Sequence, residues 1–305
     1  MKFLKLVSFV AILIGLLFTH LNAQKTKAKP SAKAKPIIFA LLNDGKTVEP
    51  IAYVDNGKLV QPVSGGDDAA KLSLFNKTYY RPNSAYRLIF GGANAGTVTI
   101  KNSDPKAECS ANMAEVTVVS AKAKLKGNVM ALATNAAATK KGSGVRRLPT
   151  SAERTEIEAL VRSVFLKQKV DSSAAKVLKY RNLTAVDVDS DGIAEMIGSF
   201  WIDNSPTSRA LLFFIADKNA DGKYSFGYSK FENIEKADVM SGEISSVDEG
   251  VYHERLLDIF DYDNDGVAEV FTYVQSFEGA GFNAYRREGG KWVVSFEGSN
   301  YHCGY

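Results

Sequence analysis

The residues best suited to chemistry stand in two short runs, Asp187-Val188-Asp189-Ser190-Asp191-Gly192-Ile193-Ala194-Glu195 and Asp261-Tyr262-Asp263-Asn264-Asp265-Gly266-Val267-Ala268-Glu269. Each places carboxylates at positions 1, 3, 5 and 9, glycine at 6 and an apolar residue at 7. Carboxylates this close repel one another unless a hard cation neutralises them, and calcium takes oxygen ligands in this manner. In the first run Asp187, Asp189 and Asp191 would supply side-chain oxygens, Gly192 the tight turn, Ile193 its carbonyl and Glu195 the closing ligand. The second assigns Asp261, Asp263, Asp265, the Val267 carbonyl and Glu269 to the same roles. The bland alternative is turn chemistry, with Asp side chains accepting from backbone N–H groups. Recurrence of the whole pattern at an offset of 74, from Asp187 to Asp261, favours the metal. A third run with Asp217, Asn219 and Asp221 at positions 1, 3 and 5 and Gly222 at 6 has Ser225 at 9 and lysines at 218 and 223. It reads equally as a third cation loop or as an Asp-Gly hairpin turn.

An EF-hand also uses Asp at 1, 3 and 5 with Gly at 6, but needs a bidentate Glu at 12 on an exiting helix. Position 12 is Gly198 in one run and Thr272 in the other, and both are flanked by segments rich in Val, Ile, Phe and Tyr. That composition is strand. The first unit contains Leu183–Val188, Ala194–Ile202, Arg209–Ile215 and Lys223–Phe231; the second, Arg255–Phe260, Ala268–Phe277, Ala280–Arg286 and Lys291–Glu297. Four strands with the Asp-rich loop after the first, twice over, make an internal repeat.

Over about residues 180–300 this spacing and context resembles the FG-GAP/VCBS repeats of integrin α-chain propellers and many bacterial surface proteins. The resemblance implies calcium loops inside β-hairpins and a role in binding or adhesion. The family commonly carries Asp at position 9, where this chain has Glu195 and Glu269. Two units do not close a propeller ring, so an open or sandwiched pair of antiparallel four-stranded units is expected.

The scaffold around the loops is readable from the rest of the chain. Thr150 and Glu153 form a capping box after Pro149, and Ile157, Leu160, Val161, Val164 and Phe165 recur at helical spacing. One amphipathic helix is expected over about Ser151–Lys169. Residues 37–135 alternate short apolar stretches with Asn43-Asp44-Gly45, Asp55-Asn56-Gly57 and Ser64-Gly65-Gly66-Asp67-Asp68, and read as a small all-β domain. Residues 24–36, rich in Lys, Ala and Pro, and 136–149, with no apolar periodicity, read as linkers. The expected class is therefore mainly β, with the helix and the duplicated β region occupying 150–305.

Residues 1–23 carry the order of a secretory signal: basic Lys2 and Lys5, an apolar run from Leu6 to Phe18, and a polar stretch ending at Ala23. The run falls short of the ~20 residues a membrane span needs, so export to a secreted or periplasmic location without a transmembrane segment is expected. The net charge of +4 holds two lysines in that signal and five in 24–36, which leaves −3 on the remainder. A nucleic-acid partner would need a basic folded surface. Cys109 and Cys303 either form one disulfide or stay as free thiols; spacing in sequence does not choose. Asn76 and Asn182 stand in glycosylation sequons.

Catalytic signals are weak. His253 and His302 read as surface or strand-end residues, and no nucleophile elbow, P-loop or His-Glu-x-x-His motif is present. Trp201, Tyr252, Phe277, Trp292 and Tyr301 are either a carbohydrate platform or strand core. The expectation is a non-enzymatic, calcium-binding module for a protein or glycan ligand; the alternative is a secreted hydrolase with calcium-stabilised loops.

Overall fold

The computed structural model describes residues 34–127, 129–138 and 141–303. The signal segment and nearly all of the Lys/Ala/Pro tract lie outside these. Among the described residues no helix is long and apolar enough to cross a membrane.

The N-terminal strands are β1 (Ile37–Leu42), β2 (Thr47–Asp55), β3 (Lys58–Val60), β4 (Ala85–Phe90), β5 (Ala93–Ser103), β6 (Ala114–Ser120) and β7 (Ala131–Thr134). They pair in the order β1-β7-β4-β5-β6-β2, and β1 also pairs with β2, which closes a six-stranded barrel with β3 appended to β2. All six residues of β1 are buried, and closure accounts for those that face inward. Ile37, Phe39 and Leu41 fill the barrel with Val98, Ile100 and Leu88, while Ile38, Ala40 and Leu42 pack outward onto a second core. Side chains alternate across a strand, so a strand hydrophobic at every position has two apolar neighbours to satisfy.

The region is not all-β, as its sequence suggests, because α1 (Ala69–Tyr79) comes after the Gly65-Gly66-Asp67-Asp68 turn. Asp68 caps it by accepting from the Ala70 and Lys71 N–H groups, and Phe75 and Tyr79 enter the barrel core. Asn76, in one of the sequons, is buried there and bonds Leu72 O, which shields it in the folded chain.

The next element differs from a free linker. Within 136–149, Ala136 is buried and Arg146–Arg147 form β8. Arg146 donates to Met130 O, Leu257 O and the Asp258 carboxylate, the last at 2.6 Å. Asp258 is fully buried and also accepts from the Gly91, Gly92 and Ile259 N–H groups.

Beyond it, α2 (Ser151–Lys167) starts at the expected capping box, with Thr150 accepting from Glu153 N and Glu153 from Thr150 N. Strands β9 (Lys179–Val186), β10 (Glu195–Ser205), β11 (Ser208–Lys218) and β12 (Tyr224–Glu235) form one antiparallel sheet, ordered β12-β11-β10-β9-β8. After α3 (Ser245–Glu249), strands β13 (Glu254–Phe260), β14 (Glu269–Gln275), β15 (Gly279–Glu288) and β16 (Lys291–Tyr301) form the last, ordered β13-β14-β15-β16. Two four-stranded units are expected; four consecutive antiparallel strands do occur twice, but the first sheet has β8 as a fifth strand at its edge.

The layers stack through period-2 alternation. Met196, Phe200, Leu212 and Phe214 of the first sheet face Ile157, Val161 and Phe165 of α2. Ile197, Phe213 and Ile215, on the opposite face, meet Leu256, Val270 and Tyr285 of the second sheet. The other face of that sheet, with Leu257, Phe260, Phe271 and Phe282, packs against the outside of the barrel. Ala34–Tyr305 accordingly cluster as one compact unit. Cys109 and Cys303 are disulfide-bonded, with Cα atoms 5.0 Å apart.

Removing one member of a buried ion pair leaves the other uncompensated. Asp258→Ala is therefore expected to lower the unfolding free energy by about 3–5 kcal/mol. Urea denaturation of the oxidised protein measures it, and a loss below about 1 kcal/mol would contradict the clamp role of Asp258.

Candidate metal centre

The β9–β10 and β13–β14 connections are the two Asp-rich loops, so both hang at the same place in equivalent hairpins. Their backbones agree. Ser190 and Asn264 at position 4 have φ of 63° and 66°, and Gly192 and Gly266 at position 6 have 86° and 103°. The left-handed region is why position 6 is glycine.

Internal hydrogen bonds match residue for residue. The Gly192 N–H donates to Asp187 Oδ2 at 3.3 Å and the Gly266 N–H to Asp261 Oδ2 at 3.1 Å. Asp191 and Asp265 N–H groups donate to Asp189 and Asp263, and Ile193 and Val267 N–H groups to Asp191 and Asp265. Glu195 accepts from Val188 N and Glu269 from Tyr262 N. The two loops are fastened together by the Ala268 N–H donating to Val188 O at 2.7 Å. A cleft of about 330 Å³ runs between them, lined by Asp189, Ser190, Asp261, Gly266 and Lys141 among others.

In each triplet, Asp187/Asp189/Asp191 and Asp261/Asp263/Asp265, one carboxylate oxygen per residue lies within 4.8 Å of the others, so either triplet can hold a metal ion. Turn chemistry accounts for only part of this. Asp187 Oδ1 and Asp261 Oδ1 are buried and lack any hydrogen-bond partner, at the same position of both loops. An ionic oxygen removed from water without a partner is costly, and a cation is the partner that an otherwise all-acceptor site fits.

Glu195 and Glu269 at position 9 are both buried at the start of β10 and β14. Burial pushes the Glu195 carboxyl up to about 7, with Asp189 adding to the rise and the Arg287 guanidinium opposing it. Burial also pushes Glu269 up to about 9, reinforced by Asp263 and Asp261. Asp261 is raised for the same first reason. Position 12, where an EF-hand has its glutamate, lies inside strands. A Cβ at Gly198 would meet the Phe214 ring at 2.4 Å, and Thr272 donates to the buried Glu254.

The third run is arranged differently. Asp217 turns away from its loop to accept from Trp292 Nε1 at 2.9 Å and Arg287 Nη2 at 2.6 Å. Asn219 Oδ1 accepts from the Asp221 and Lys223 N–H groups, and Asn219 N donates to Lys223 O. Asp217, Asn219 and Asp221 thus make a hairpin turn closed by its own side chain, and Asp217 is already partnered by a cation.

No sequence signal marks Arg287: it lies 92 positions from Glu195 and meets the first loop only through sheet packing. The aromatic set also sorts differently from a platform. Trp201 and Trp292 are buried, Tyr252 and Phe277 meet edge-to-face, and Tyr301 alone of the five is exposed. His253 stands at a strand end, just before β13, and in the core: it is fully buried, pairs with Val247 O, and burial lowers it to about 4. His302, just past β16, pairs with the buried Glu49 at 2.7 Å.

Against known proteins, the chain matches no family model, no curated protein and no solved structure.

A carboxyl whose folded pKa is raised stabilises the fold fully below its ordinary value of 4.5 and loses that contribution as pH rises through the folded value. In chelator, the urea midpoint should therefore fall from pH 5 to pH 9, and Glu269→Gln should flatten the upper part of the slope. A midpoint that rises over this range would contradict the burial argument.

Proposed function

We propose that this chain is an exported, non-enzymatic calcium-binding β protein whose two loop ions fix hairpins that present a binding or adhesion surface to a protein or glycan. The observation that carries the reading is the pair of orphaned buried oxygens, Asp187 Oδ1 and Asp261 Oδ1, at matching positions of duplicated all-oxygen loops. Calcium is favoured over magnesium because its larger, variable coordination shell accepts oxygens from an Asp triplet, a carbonyl at Ile193 or Val267, and a longer Glu. The arrangement of loop and hairpin supports the likeness to FG-GAP/VCBS repeats, here as two sheets stacked on a barrel. Export is supported by the signal-like N-terminus and by the Cys109–Cys303 bond, since such bonds persist in oxidising compartments.

The calcium has a structural role in this reading. It neutralises four carboxylates per loop and gives the buried oxygens their partner, so it binds the folded chain and not the unfolded one. Calcium at 100 times its dissociation constant then adds about 2.7 kcal/mol of stability. Differential scanning fluorimetry is expected to show a lower melting temperature in EDTA, restored by excess calcium. Asp189→Ala and Asp263→Ala should each take away part of the calcium-dependent rise. An identical melting temperature with and without calcium would sink the proposal.

A further inference from the structure

The two loops share a sequence pattern, a backbone conformation and the internal hydrogen bonds given above, and differ in the cation beside them. Arg287 on β15 donates from Nη1 to Asp189 Oδ2 at 2.9 Å and from Nη2 to Glu195 Oε1 at 3.1 Å. Among the described residues, Asp261, Asp263, Asp265 and Glu269 form no ion pair with a lysine or arginine. Arg286, whose guanidinium senses the Asp263 charge, is partly exposed and pairs with Glu288.

We infer that Arg287 is a built-in competitor cation for the first loop, so that the loops take up calcium in order, the Asp261–Glu269 loop first and the Asp187–Glu195 loop second. The inference rests on the calcium reading above. It has its own footing in Asp187, which is 4% exposed and has an oxygen without a partner in the first loop. That loop is a site for a cation, and part of it is already taken.

The competition is visible atom by atom. Both oxygens of Glu195 are engaged, Oε2 by the Val188 N–H at 3.0 Å and Oε1 by Arg287. Asp189 has Oδ1 against the Asp191 N–H and Oδ2 against Arg287. For Glu195 and Asp189 to close on calcium through these oxygens, the guanidinium must give up two charge-assisted hydrogen bonds.

Arg287 has somewhere to go. Its Nη2 also pairs with Asp217 Oδ1 at 2.6 Å, and it lies 5.0 Å from the centre of the Trp292 ring. Trp292 Nε1 in turn holds Asp217. Gly227 leaves room for this assembly, because a Cβ there would meet Asp217 Oδ2 at 2.1 Å and Trp292 at 2.7 Å. Asp217 therefore serves as the alternative anchor onto which Arg287 withdraws when the first loop fills. Calcium affinity depends on ligand charge count, and one positive charge among four carboxylates is expected to weaken the first loop by ~10- to 100-fold.

Isothermal titration of chelator-stripped, full-length oxidised protein with calcium chloride tests this. The expected result is two classes of site separated by ~10-fold or more. Asp263→Ala should abolish the tight class and Asp189→Ala the weak one. Arg287→Gln should tighten the weak class while moving the tight class by less than about two-fold. Two indistinguishable classes, loss of the tight class in Asp189→Ala, or a weak class unchanged or weakened in a folded Arg287→Gln would each overturn the inference. The two alanine variants settle the order of filling even if Arg287→Gln does not fold. Binding to equal sites would fail the Arg287 inference and leave the calcium reading standing, whereas no calcium binding at all would remove both.

Discussion

The β13–β16 sheet is apolar on both faces, and that constraint organises the molecule. A sheet of this kind has to be covered twice. The first repeat unit covers one face and the outer wall of the barrel the other. The barrel in turn cannot be an ordinary soluble barrel, since Ile38, Ala40 and Leu42 make part of its exterior as hydrophobic as its interior. Burying a Leu or Ile side chain contributes roughly 1.5–3 kcal/mol each. Separating these layers would expose many such residues at once, so layers that look independent in sequence stand or fall together. Arg146 and Asp258 sit at this junction and fix its register with directed bonds where apolar contact alone would allow sliding.

How much of this was legible in the sequence depends on the range of the interaction. The Thr150–Glu153 capping box and the Ile157–Phe165 stripe specify α2 locally, and α2 appears within two residues of its expected end. The strands of the duplicated region are set by alternation and by Asp-Gly turns, again local signals. The short helix α1 is hidden because Asp68, which looks like the end of a turn, is also the N-cap of the helix. Barrel closure was out of reach, since it needs β1 to pair with both β2 and β7, the latter 90 residues or more away. The unbroken apolar run Ile37–Leu42 was its one trace in the sequence.

The candidate site divides the same way. Asp187, Asp189, Asp191 and their counterparts converge because a tight turn forces them to, so type and spacing sufficed. The fate of Asp217 depended on Trp292 and Arg287, brought in from another sheet, and no local pattern predicts it. Equally, His253 reads as a surface or strand-end residue, and it does stand at the strand end before β13, beside the charged Glu254 and Arg255. All three nonetheless sit where the sheets meet, and Glu254 is held there by Thr272, Asn283 and Tyr285. Charged residues in a strand near a junction are poor indicators of exposure once both faces of the sheet are covered.

The bond between Cys109 and Cys303 spans 194 positions and fastens the end of β16 to the barrel. β16 is an edge strand, and Gln61, Ser64 and Gly65 of the barrel bond to Ser299, Asn300 and Tyr301 along it. An exposed edge is where a second molecule adds a strand. Here β16 cannot peel away or be exchanged between molecules without a thiol reagent. Tension carried along β16 would accordingly bypass the Asp-rich hairpins and run through the disulfide into the barrel, which leaves the loops mechanically unloaded.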